Sequence, residues 1–141
     1  MSEQSDPPPD GWKHTGVRVI PGDALDDNTP QTPGMHRATA IDRARVGAQK
    51  LWAGTVHIHA GAKTGPHHHG HSETGIYVVS GSPAFVFREG DDIVRLQTAP
   101  GDYIYVPPHV PHLEENSGAG DAVVVIARNT QESIVVNLDQ L

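Results

Sequence analysis

From residue 51 onward the chain repeats one pattern: a short block rich in β-branched and aromatic residues, then a turn, at intervals of about ten residues. Candidate strands are 51–59 (LWAGTVHIH), 74–80, 84–88, 92–98, 103–106, 110–114, 122–127 and 133–138. The connectors carry Gly81-Ser82-Pro83, Glu89-Gly90-Asp91, Pro100-Gly101-Asp102 and Ser117-Gly118-Ala119-Gly120. Many short strands with such punctuation predict an all-β sandwich or barrel. Within the first block, Thr55-Val56-His57-Ile58-His59 alternates, which sets His57 and His59 on one face and Val56 and Ile58 on the other. Upstream, residues 17–20 could add a short strand, and 23–34 (DALDDNTPQTPG) reads as a loop. A turn around 38–48 is the one candidate helix.

Length and composition narrow the function classes. The 141 residues suit one domain, and no second composition regime or internal repeat divides them. The absence of cysteine excludes disulfides, thiolate metal sites and cysteine nucleophiles, and fits a reducing cytoplasm. Seventeen acidic against ten basic side chains give a formal charge of −7, which argues against nucleic acid as the main partner. No apolar run is long enough to span a membrane, and MSEQSDPPPDGWKH lacks the basic start and apolar stretch of a signal peptide. Residues 1–16 are expected to form an extended or mobile tail, with the barrel domain over 17–141.

The excess of histidine, ten in all, concentrates in two stretches. Residues 61–81, GAKTGPHHHGHSETGIYVVSG, carry His67, His68, His69, His71 and Glu73 just before a strand. Imidazole and carboxylate are the usual protein donors for zinc, iron, manganese and nickel. Residues 101–116, GDYIYVPPHVPHLEEN, end a strand at Pro107-Pro108 and then present His109 and His112 in a proline-stiffened segment. On a strand, His67 and His69 face the same side, and His112 from a neighbouring strand could meet them.

Together these stretches resemble the two motifs of the cupin family. The first motif runs G, five residues, H-x-H, three or four residues, E, about six residues, G. Here it reads Gly61, His67-His68-His69, Glu73 and Gly81, with one extra residue before the last glycine. The second runs G, five residues, P-x-G, two residues, H, three residues, N. Here it reads Gly101, Pro107-Pro108-His109, His112 and Asn116, with His109 in place of glycine. The resemblance implies a double-stranded β-helix, or jelly-roll barrel, and a single divalent metal ion on His67, His69, Glu73 and His112. His71, two residues beyond His69, competes with Glu73 for the fourth position.

The other polar residues have plainer expectations. His68 points away from its neighbours, His57 and His59 read as hydrogen-bonded core histidines, and His109 as a rim or turn residue. Glu114 reads as a surface carboxylate, and Trp52, Tyr103 and Tyr105 as barrel wall. The chain looks similar to cupin cyclases of bacterial aromatic polyketide pathways, which bind zinc through histidines. That likeness implies a Lewis-acid enzyme of antibiotic biosynthesis acting on a polyketide or phenolic small molecule by aldol-type ring closure. A cupin dioxygenase using iron, manganese or nickel is the alternative, and a non-catalytic ligand- or metal-binding cupin the third possibility. The apolar terminal block SIVVNL would be an exposed edge, so pairing in a homodimer is expected.

Overall fold

The computed structural model describes residues 16–131 and 134–141. Residues 1–15 of the expected 1–16 tail, and the first residue of the expected 133–138 strand, fall outside them. The described residues form ten strands: β1 (Met35–Ile41), β2 (Trp52–Ile58), β3 (His67–His68), β4 (Thr74–Ser80), β5 (Ala84–Glu89), β6 (Asp92–Gln97), β7 (Tyr103–Val106), β8 (His112–Glu115), β9 (Ala122–Arg128) and β10 (Val136–Asn137). They form two five-stranded sheets, ordered β1-β2-β9-β4-β7 and β10-β3-β8-β5-β6. Every described pairing is antiparallel. The result is a jelly-roll barrel, as the resemblance implied, within the sandwich-or-barrel class that the strand spacing predicted.

Period-2 alternation assigns the interior. On β2, Trp52, Val56 and Ile58 are buried while His57 is exposed. On β4 the inward residues are Ile76 and Val78, and on β9 they are Ala122, Val124 and Ile126. With Met35, Phe85 and Val106 these side chains make one continuous apolar cluster. Gly54 keeps β1 and β2 close: a Cβ there would stand 2.3 Å from the Ala38 carbonyl oxygen.

Three expectations require correction. The 38–48 segment is not a helical turn throughout: its first half belongs to β1, and only Arg43–Val46 form a helix, α1. Asp42 caps that helix by accepting from the Arg45 amide, and Gly47 ends it with φ of 72°. The inward residues of β1 include Arg37 and Thr39, so the hydrophobic alternation that betrays a strand is absent. Residues 17–20 form no strand, and Val17 and Val19 are exposed. His57 and His59 are surface residues rather than core histidines, with His59 Nδ1 3.9 Å from Asp121. Apart from these corrections, β10 forms the edge of the second sheet and pairs on its inner side with β3, Val136 opposite His68 and Asn137 opposite His67.

Candidate metal centre

The two motif stretches meet in the second sheet. His67 of β3 is the direct antiparallel partner of His112 at the start of β8. His69 follows two residues after His67, so its ring returns to the same side. The three imidazoles offer ligand atoms that all lie within 4.8 Å of one another. His67 is 1% exposed, and His69 and His112 are each 3% exposed.

Backbone carbonyls fix the tautomer of all three rings. Nδ1 lies 2.9 Å from the Gly65 oxygen in His67, 3.0 Å from that of Ile134 in His69, and 3.1 Å from that of Val110 in His112. A carbonyl only accepts, so each Nδ1 is a donor, and in the neutral ring the lone pair is left on Nε2. The Nε2 atoms of His67 and His112 are buried without a hydrogen-bond partner among the described residues. Buried polar atoms are seldom left so, and a ring tied back through its other nitrogen is the usual arrangement of a metal-ligating histidine. The residues therefore fit a divalent ion. Burial lowers the pKa of His67 to about 4 and that of His69 to about 2, so both rings are neutral donors at ordinary pH.

His71 and Glu73 are not brought to this cluster. Gly70, at φ of 59°, turns the chain away after His69, and the Ser72 amide closes the turn onto the His69 carbonyl. His71 is exposed on that turn. Glu73 lies one residue before the inward-facing Thr74, so its carboxylate emerges on the outer face. There it accepts hydrogen bonds from Tyr105 Oη at 2.7 Å and Asn129 Nδ2 at 3.1 Å. His68 is half-buried and accepts from the Gly70 amide through Nδ1. His109 is exposed with φ of 63°, the backbone conformation that explains a glycine at this point of the motif. Asn116, the last motif residue, is buried and donates to the Ile58, His59 and Gly120 carbonyls, pinning the start of the β8–β9 connection.

The interior contains groups the sequence did not single out. Glu114 is 2% exposed, not a surface carboxylate, because it lies two residues after His112 on the same inward side of β8. Its Oε1 stands 3.5 Å from His112 Nε2 and 3.9 Å from His67 Nε2. Thr64 Oγ1 donates to Glu114 Oε2 at 2.8 Å and accepts from the Glu114 amide at 2.9 Å. Burial opposes ionisation of Glu114, but the charged forms of His67 and His112, the Thr64 hydrogen bond and Arg37 favour the carboxylate and hold its pKa below the ordinary value. Two guanidinium groups are also buried. Arg37 donates to Thr32 Oγ1 and the Pro30 carbonyl, and Arg128 lies over the Trp52 ring at 3.8 Å. Burial lowers their pKa values to about 10 and about 9, which leaves both charged at neutral pH.

A pocket of about 360 Å³ opens beside the cluster, lined mainly by Phe85, Phe87, Leu96, Ile104, Val106 and Val110, with His112 among its wall residues. Strand β5 thus supplies part of an apolar chamber, through Phe85 and Phe87, as well as core. The arrangement combines neutral donors, buried cations and an apolar approach. It suits a ligand with polar oxygen at one end and hydrocarbon along its length.

A family profile described as "Cupin domain" matches residues 54–128, and the chain belongs to the cupin family. No curated protein matches it. Among solved structures it is similar to Peruvianin-I, a cysteine peptidase from Thevetia peruviana latex, at 16% identity and a TM-score of 0.72, covering 87% of this chain and 78% of that one. The polyketide cyclase RemF from Streptomyces resistomycificus gives 21% identity and a TM-score of 0.64, covering 81% and 78%. An oxalate oxidase in complex with glycolate gives 19% identity and a TM-score of 0.66, covering 79% of this chain and 58% of that one. Similarity at these identities defines the fold alone. A chain without cysteine has no thiol for cysteine-peptidase chemistry. Among the described residues no helix is long and apolar enough to cross a membrane.

Proposed function

We propose that this cupin is a metal-dependent enzyme acting on a small, oxygenated and largely apolar molecule, with His67, His69 and His112 holding one divalent ion. The favoured reaction is an aldol-type ring closure of a polyketide-like chain. A bound divalent ion would supply Lewis acidity toward a carbonyl oxygen. The chain's own part is to orient and to exclude water. Phe85, Phe87, Ile104 and Val110 hold the hydrocarbon portion, while the buried charges of Arg37 and Arg128 favour negative charge developing on oxygen.

The observation that carries this reading is the double position of His112, a member of the buried histidine cluster and of the apolar pocket wall. A substrate in the pocket would therefore lie against the donor set. A dioxygenase is the second reading, favoured by the carboxylate of Glu114 beside the histidines, since an anionic donor lowers the ion's net charge. The test is to purify the protein without added metal, measure its metal content, and assay oxygen uptake and ring closure with phenolic and poly-β-ketone substrates. Zinc with ring closure and no oxygen uptake is the expected result. Iron with oxygen uptake would replace the cyclase by the dioxygenase, and stoichiometric metal without turnover would leave a ligand-binding cupin.

A further inference from the structure

We propose that Glu114 is the fourth protein donor of the metal centre, so that the carboxylate of this cupin comes from its second motif instead of its first. This deepens the metal-centre reading above and rests on it. The starting observation is a mismatch. With four residues after the second histidine and six before the closing glycine, the glutamate position of the first motif falls on Thr74. Thr74 is buried, its Oγ1 has no partner among the described residues, and a neutral hydroxyl cannot replace a carboxylate's charge. Glu73 is one residue off that position, and in a strand one residue reverses the face. The first motif therefore delivers two histidines and no acid to the interior.

Strand β8 makes up the deficit. Its period-2 geometry carries Glu114 to the face that already holds His112. Donors bound about 2.0–2.1 Å from a tetrahedral ion stand about 3.3 Å from one another. Glu114 Oε1, at 3.5 Å and 3.9 Å from two Nε2 atoms, is already near that spacing.

The protons make the case stronger. In the neutral rings each facing Nε2 bears a lone pair, because the one ring proton is on Nδ1, beside a carbonyl. The Glu114 oxygen is also an acceptor, and neither Nε2 atom forms a hydrogen bond with it. Three acceptors turned toward one another in a buried site repel unless a cation lies between them. Thr64 is a positioning residue: by binding Oε2 it leaves Oε1 directed at the histidines.

The test is a zinc titration of metal-free protein against a competing chelator, with the visible spectrum of the cobalt-loaded protein as a second readout. Glu114→Gln is expected to weaken zinc by tenfold or more and to shift the cobalt bands, while Glu73→Gln and His71→Ala bind like the parent protein. Glu114→Asp, which keeps the charge but withdraws the oxygen, is expected to weaken zinc as well and covers the case in which the glutamine variant does not fold. Adding Thr74→Glu to Glu114→Gln is expected to recover part of the affinity. Parental affinity and an unchanged cobalt spectrum in Glu114→Gln or Glu114→Asp would overturn the assignment, as would an equal loss in Glu73→Gln. If the unmodified protein binds no metal, the metal-centre reading itself fails; if only the Glu114 variants behave like the parent, that reading survives and this inference does not.

Discussion

Strands β9 and β8 both point alternate side chains into the barrel, yet they do opposite things with that geometry. The inward residues of β9 are Ala122, Val124 and Ile126, and only at its end does Arg128 appear. Those of β8 are His112 and Glu114, with Asn116 just beyond. The first set gains free energy simply by leaving water, at about 25 cal/mol per Å² of apolar surface. The second set loses hydration and recovers it only through partners, which Thr64 and the backbone provide in part. One strand stabilises the barrel, and the other uses that stability to hold unsatisfied donors in place.

The sharpest way to break this contrast is to delete a donor. His67→Ala or His112→Ala is expected to take bound metal from about one ion per chain to nearly none, measured by elemental analysis, while His68→Ala keeps it. Core truncation is the converse: Ile58→Ala, at a fully buried position, should cost about 2–5 kcal/mol of stability in urea unfolding yet leave metal stoichiometry unchanged. If Ile58→Ala released the metal while the fold persisted, the two regions would not be separable.

A smaller effect follows from pH. His67 and His69 are held below their ordinary pKa, so the unfolded chain takes up more protons than the folded one as pH falls through 6.5. Metal-free stability should therefore decline from pH 6.5 downward, through about 4 for His67 and about 2 for His69. The slope approaches about 1.4 kcal/mol per pH unit for each group. Glu114 acts in the same direction, its contribution present above about 4.5 and lost as pH falls through its lowered folded value. A flat profile between pH 7 and 5 would contradict the burial of neutral imidazoles. The smallest effects belong to the outer face: His57→Ala and His71→Ala are expected to alter stability by no more than about 0.5 kcal/mol.

The sequence made the apolar half legible because alternation is a hydrophobic signal. The bounds expected for strands 103–106 and 74–80 match the structure to the residue. Where the inward residues are polar, the same alternation carries no contrast, and the second half of β1, which follows Arg37 and includes the inward Thr39, falls within the 38–48 stretch that looks like a helical turn. The site followed the same rule. The pairing of His67 with His112 was foreseeable from the two motifs, whereas Glu114 resembled a surface acid until its separation of two from His112 acquired a face. Glu73 and His71 satisfied the letter of the spacing, but Gly70 and the register of β4 carried them outward.

The central claim is that the buried histidines form one metal centre, and zinc binding to metal-free protein tests it most directly. One ion per chain, with affinity lost in the His67→Ala/His112→Ala double variant while its fold is retained, is the predicted result. No binding by the unmodified protein, or binding undiminished in the double variant, would contradict it.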